Sequence, residues 1–262
     1  MDFGLKGKRA LVLGSTKGLG RGIAEALAGE GARLGISGRD AASAEKAAAE
    51  IGRGGAAEAR GFGVDLLDHG SVAKLCDAVT AAFGGLDVLV LNGGGPPPGA
   101  AADIKPEVWA QQFEAMFLAH IRIAGRFLPG MRQQKWGRIL VCSSSGSVQP
   151  IPALAISNTI RAGLIGWAKT LSAEVAADGV TVNTLLPGRI KTERVDEIDT
   201  ATAKRLGKSV DDVVAASKAT IPAGRYGTVA EFGAVGAFLV SGPASYVTGC
   251  VVRADGGFIR GV

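Results

Sequence analysis

The chain has 262 residues, 47% hydrophobic and 5% aromatic, enough to bury one sizeable core within a single α/β domain. Its net charge of +5 comes without a Lys/Arg cluster, a zinc-finger spacing or an RNA-binding signature, so no nucleic-acid partner is expected. Cys76, Cys142 and Cys250, with His69 and His120, give no disulfide framework or metal set, and no apolar run reaches the ~18 residues of a membrane span.

Along the chain, short apolar runs alternate with helical patterns. "RALVLG" (9–14) reads as a strand and 21–31 as a helix ended by Gly31. Residues 32–38 read as a strand, 41–51 as a helix and 59–65 as a third strand. In 71–83, Val72, Leu75, Val79 and Phe83 fall on one helical face. The run "LDVLVLN" (86–92) suits a strand buried on both faces. A helix is predicted over 106–126 and a strand over 137–143. Ile160, Leu164, Trp167, Leu171 and Val175 then mark a helix over 158–177. Strands at 180–187 and 250–255 flank a helix at 229–240.

Seven strands with interposed helices imply a Rossmann-type, doubly wound parallel sheet with helices on both faces. Residues 1–262 are expected to form one domain in the cytoplasm, away from membranes. The polar segment 189–227 has no strand and starts at a strand's C-terminal end, where open α/β sheets bind ligands. It is read as a substrate lid, with a plain surface excursion as the alternative.

"LVLGSTKGLGRGI" sets Gly14, Gly18 and Gly20 between a strand and a helix. There, backbone can approach a pyrophosphate held at the helix's positive end. Ser15, Thr16, Lys17 and Leu19 complete that turn. About 20 residues on, an acid would bind the ribose 2′-hydroxyl of NAD; here Gly38 holds the place and Arg39 follows. A guanidinium pairs with a 2′-phosphate that a carboxylate would repel, and Lys17 adds a second cation. NADP(H) is therefore expected in preference to NAD(H). Asp65, with Leu66 beside it, either meets the adenine amino group or starts the next helix.

With these residues in place, the chain resembles the short-chain dehydrogenase/reductase superfamily over essentially its whole length. "GSTKGLG" is similar to the family's T-G-x-x-x-G-x-G turn, and "LNGG" (91–94) stands where N-N-A-G is usual, keeping Asn92 ahead of Gly93 and Gly94. "GRILVCSSS" resembles the strand with the catalytic serine. "VNTLLPGRIKT" resembles the segment beside the nicotinamide amide, which implies contacts from Pro187, Gly188, Ile190 and Thr192. A narrower likeness, to a divergent subgroup resembling β-ketoacyl-acyl-carrier-protein reductases, rests on "GGPPPG" (94–99) and on S-N-x-x-R at Ser157, Asn158 and Arg161.

The resemblance implies a catalytic serine 13 positions before a tyrosine. Ser144 keeps that distance, but Ser157 stands for the tyrosine, Arg161 for the lysine and Met116, seven past Trp109, for the relay asparagine. A serine hydroxyl does not titrate near neutral pH, and an arginine does not release its proton. The proton then comes from water held by Ser144 and Ser157, from His120 four residues beyond Met116, or from the substrate. The function expected is NADP(H)-dependent hydride transfer between nicotinamide and a carbonyl or secondary alcohol; the alternative is a catalytically silent NADP(H)-binding protein. The resemblance also implies a homo-oligomer, tetramer or dimer, built on helices 106–126 and 158–177.

Overall fold

Strands of four to eight residues, an apolar run at β4 and more mixed, glycine-rich segments at β2 and β3, form the sheet of the computed structural model, which describes residues 2–261. The strands are β1 (Arg9–Val12), β2 (Arg33–Gly38), β3 (Glu58–Gly63), β4 (Val88–Leu91), β5 (Gly137–Cys142), β6 (Val180–Pro187) and β7 (Val251–Ala254). All pairings are parallel, in the order β3-β2-β1-β4-β5-β6-β7. The order reverses between β1 and β4, and the crevice at such a reversal is where open sheets take ligands.

Alternation along the strands splits the core in two. Val12, Val90 and Leu140 face one apolar cluster, packed under α1 (Gly18–Gly29), α2 (Ala41–Gly52) and α9 (Val229–Leu239). Leu11, Leu89 and Ile139 face the other, under α3 (His69–Phe83), α5 (Ala119–Gln133) and α6 (Ala155–Val175). This is the expected doubly wound fold. No helix among the described residues is long and apolar enough to cross a membrane.

Three differences from the sequence reading bear on the site. The helix expected at 106–126 is α4 (Pro106–Phe113), a π-helical turn (Glu114–Leu118) and α5, running on to Gln133. The π turn inserts an extra residue into the helix and so re-aims the side chains beyond it. Helix α6 starts at Ala155, so Ser157 lies in its first turn. Segment 189–227 is strandless but helical, with α7 (Glu193–Leu206) and α8 (Val210–Ala219). It is pinned by buried Asp199, which accepts from Arg189 Nη1 and from the Tyr226 hydroxyl, both at 2.9 Å.

Candidate active site

The turn after β1 is shaped by backbone. Gly14 (φ +57°) and Gly18 (φ +61°) take the left-handed conformation, which costs glycine least. Ser15 is wholly buried: its hydroxyl donates to the Val12 carbonyl (2.6 Å) and accepts from the Ser37 amide (3.0 Å). Asn92 Nδ2 donates to the carbonyls of Leu13 and Gly14, both at 3.1 Å. A methyl at Gly20 would lie 2.7 Å from that Nδ2 and strike the Gly14 carbonyl. Thus Asn92 and Ser15 fix the turn, and Gly20 leaves room for it. Lys17 is the extended N-cap of α1 with no side-chain cap, and the first turn holds no acid. The first amides of α1 are therefore open to an anion.

At the end of β2, a side chain on Gly38 would meet the Thr16 methyl group at 2.7 Å, so an acid there would have to displace Thr16. Exposed Arg39 follows, close enough for its charge to oppose protonation of Lys17. The Lys17 ammonium itself reaches Glu193 of α7 at 2.6 Å, and this pairing raises its pKa. Asp40 caps α2 by accepting from the Ser43 amide (2.8 Å). Asp65 is exposed and accepts from the Leu67 amide (3.0 Å), with half-buried Leu66 between them. The start of α3 belongs to Asp68, which accepts from Gly70 (2.7 Å); the helix-start reading of Asp65 is corrected accordingly.

Ser144, Ser157 and Arg161 come from the end of β5 and the first turns of α6. Ser144 is half-buried, and its Oγ accepts from the Gly146 amide at 3.1 Å. A side chain on Gly146 would crowd both that Oγ and the Asn158 Oδ1, so Ser144 and Asn158 converge there. Asn158 donates to the Ile151 carbonyl (2.8 Å) and its buried Oδ1 has no partner. Ser157, half-buried beside it, makes no side-chain hydrogen bond among the described residues. Arg161 is buried, donating to the carbonyls of Cys142 (2.8 Å) and Gly93 (3.4 Å).

Met116, within the π turn, packs on Ile156 and Ile160 and offers the site no proton. His120 is 2% exposed, its ring against the Asn92 backbone, and among the described residues neither ring nitrogen makes a well-aligned hydrogen bond. It lies against the Gly93 backbone, where an added methyl would be 3.6 Å from Nε2. Burial, then the Arg161 charge, push its pKa down to about 4. Burial pushes the Cys142 thiol up to about 12. Both groups are neutral at physiological pH.

Two flanking segments frame these residues. The proline run ends in a bridge: Gly99 donates to the Ala153 carbonyl (2.8 Å), and Ala155 donates back to Gly99 (3.3 Å). Ala153 sits at φ +60°, a strained conformation for a residue with a Cβ. Past β6, Pro187 leads to Gly188, whose amide donates to Ala254 (2.9 Å), and buried Ile190 bridges Gly227. Thr192 caps α7, accepting from Val195 at 3.4 Å.

The structure therefore brings the sequence-selected residues to one edge, around the C-terminal ends of β1, β4, β5 and β6, with Asp65 and Leu66 beyond β3. Gly94 lies exposed in the loop after β4. Not foreseen were Glu193 as partner of Lys17, and the Arg189–Asp199–Tyr226 cluster that pins segment 189–227.

Comparison with known proteins agrees with this geometry. A family model described as enoyl-(acyl carrier protein) reductase matches residues 14–259. The 3-oxoacyl-[acyl-carrier-protein] reductase of Vibrio cholerae is 32% identical over 253 residues, 97% of this chain and 98% of that protein. The D-beta-hydroxybutyrate dehydrogenase of Cupriavidus necator is 33% identical over 260 residues, 97% of this chain and 99% of its own. L-sorbose reductase from Gluconobacter frateurii, solved with NADPH and L-sorbose, superposes with a TM-score of 0.95 at 30% identity over 100% of both chains. Sheet order, glycine turn and whole-length similarity agree: the chain belongs to the short-chain dehydrogenase/reductase superfamily of oxidoreductases, on its 3-oxoacyl-acyl-carrier-protein-reductase-like branch.

Proposed function

We propose that the chain is an NADP(H)-dependent oxidoreductase acting on a carbonyl or secondary alcohol, with Ser144, Ser157 and Arg161 at the reacting end. The observation that carries this reading is the groove itself. It has an uncapped helix N-terminus at one side, Arg39 and Lys17 where an acid would serve NAD, and Ser144 on the same sheet edge. Gly14, Gly18 and Gly20 leave the backbone bare for a pyrophosphate, so the residues present fit a phosphorylated dinucleotide. That cofactor, when bound, supplies or accepts hydride.

In reduction, the Ser144 and Ser157 hydroxyls hold the carbonyl oxygen as negative charge gathers on it, and the Arg161 cation stabilises that charge. The proton reaches that oxygen from water, because neither hydroxyl nor guanidinium titrates near neutral pH. Oxidation of an alcohol runs the same contacts backwards. The similar proteins act, by their names, on 3-oxoacyl, hydroxybutyrate and sorbose substrates, which supports this substrate class. An apolar groove of about 470 Å³ between α4 and α6, with Trp109, Phe113 and Phe117 on its wall, supports a homo-oligomer through these helices.

A second reading, a silent NADP(H)-binding protein, is favoured by one observation: apolar Met116 stands where a relay residue would. One experiment separates the two. NADPH and NADH are titrated by ligand fluorescence, and the protein is then assayed against a panel of ketones, aldehydes and alcohols. Turnover with NADPH is expected. Tight NADPH binding with no turnover across the panel rejects the enzyme and leaves the binding protein; no binding rejects both.

A further inference from the structure

Fifteen ion pairs tie charged side chains together among the described residues, and Arg161 belongs to none of them. It is nevertheless buried, at 8% exposure. A guanidinium has five N–H donors, and Arg161 directs them at two neutral carbonyls, those of Cys142 and Gly93. Arg138, also buried, differs: it donates to the carbonyls of Ser241, Gly137 and Gly179 and lies over the Trp136 ring. Arg138, the second residue of β5, lies at the far edge of the sheet, whereas Arg161 sits at the edge that carries the groove.

Nothing around Arg161 cancels its charge. From β5 comes Cys142, a neutral thiol; from α5 comes His120, a neutral imidazole. The segments after β4 and β5 bring Gly93 and Ser143. The one carboxylate of the π turn, Glu114, is paired with His69 and Arg122. Burial lowers the Arg161 pKa, but a guanidinium keeps its proton in proteins. An unpaired buried charge is costly to fold around, so its retention calls for a use. A tyrosinate at position 157 would cancel such a charge, and Ser157 does not.

We propose that Arg161 is a fixed, unneutralised cation that sets the redox state of the cofactor the protein prefers. NADPH, whose nicotinamide ring is neutral, binds more tightly than NADP⁺, whose ring is positive. The proposal rests on the cofactor reading above and deepens it, because tight NADPH and loose NADP⁺ bias the protein towards reduction. Two like charges sharing one site of effective dielectric ~20 repel strongly enough to change the affinity ratio by roughly ten-fold or more. Contacts to the ribose and phosphates are common to both forms and cancel in that ratio.

The test is a pair of dissociation constants, measured by calorimetry for NADPH and NADP⁺ on the wild type and on Arg161→Met and Arg161→Lys. The wild type is expected to favour NADPH by ten-fold or more. Arg161→Met brings the two constants to within about three-fold of each other, and Arg161→Lys, which keeps the charge, preserves the preference. A wild-type ratio near one overturns the proposal whether or not the variants fold, and so does a ratio that Arg161→Met leaves unchanged. Failure of the wild type to bind either dinucleotide instead removes the cofactor reading.

Discussion

The turn after β1 and the mouth between β5 and α6 share one edge of the sheet but are made of different material. The turn is backbone: two left-handed glycines, the open amides of α1 and a brace from Asn92 and Ser15. The mouth is side chains: two serine hydroxyls, an amide, a buried guanidinium and a neutral imidazole. A backbone site tolerates few residue types, because any Cβ fills the space that the ligand or brace needs. A side-chain site can exchange its groups while the frame stands, and each exchange rewrites the chemistry.

The largest effect is expected where the backbone site is filled. Gly20→Val puts carbon into the Gly14 carbonyl and the Asn92 amide. Overpacking of this kind costs about 3 kcal/mol, a fall in Tm of roughly 6–12 °C, and NADPH binding is lost with the turn. Calorimetric melting with and without NADPH checks this; unaltered NADPH-induced stabilisation would break the comparison. In the mouth, Ser144→Ala should leave NADPH affinity alone and lower kcat by about 10²–10³-fold, the usual cost of one oxyanion donor. Because neither His120 nor Cys142 changes charge near neutrality, kcat/KM of the wild type is expected to be flat from about pH 6 to 9. A bell-shaped profile would mean that an acid outside this group of residues does the work.

The same difference governs what the sequence made legible. Gly14, Gly18 and Gly20 could be read in advance because the geometry demands glycine between a strand and a helix. The 13-residue interval from Ser144 to Ser157 kept its frame for a similar reason: one strand end and one helix start fix it. The π turn over 114–118 was not legible, since Glu-Ala-Met-Phe-Leu carries ordinary helix formers. The start of α6 was placed late because Leu154 is a cap without a capping side chain. Thr192 and Ser209 each precede acidic residues, a helix-start signal that the reading of 189–227 as a strandless polar segment passed over at α7 and α8. The Lys17–Glu193 and Asp199–Tyr226 pairs span 176 and 27 residues, and no local pattern encodes them.

His120 offers a test of the mouth that needs no substrate. Its folded pKa of about 4 lies below the ordinary 6.5, so between these values the unfolded chain binds the extra proton. Stability is therefore full above pH 6.5 and is lost as the pH falls towards 4, by about 3 kcal/mol. Urea unfolding at pH 7, 5.5 and 4.5 should show this slope in the wild type and its disappearance in His120→Leu. An identical slope in both proteins would place His120 in water rather than beneath the mouth.

The smallest effect expected is at the exposed end of the backbone site, where side chains take over. Arg39 is exposed, lies beside Lys17 and pairs with no carboxylate among the described residues. Lys17 is already engaged by Glu193, so Arg39 is the freer cation for a 2′-phosphate. A charge-assisted hydrogen bond contributes about 1.5–3 kcal/mol, hence Arg39→Asp should weaken NADPH roughly ten- to hundred-fold. The new carboxylate would accept from the ribose 2′-hydroxyl and strengthen NADH. The exchange has to be made at 39: an acid at 38 runs into the Thr16 methyl and would damage the turn for both cofactors. If Arg39→Asp leaves the NADPH-to-NADH affinity ratio unchanged, the phosphate lies elsewhere. If Gly38→Asp switches cofactor cleanly, the turn is more pliable than a site made of backbone should be.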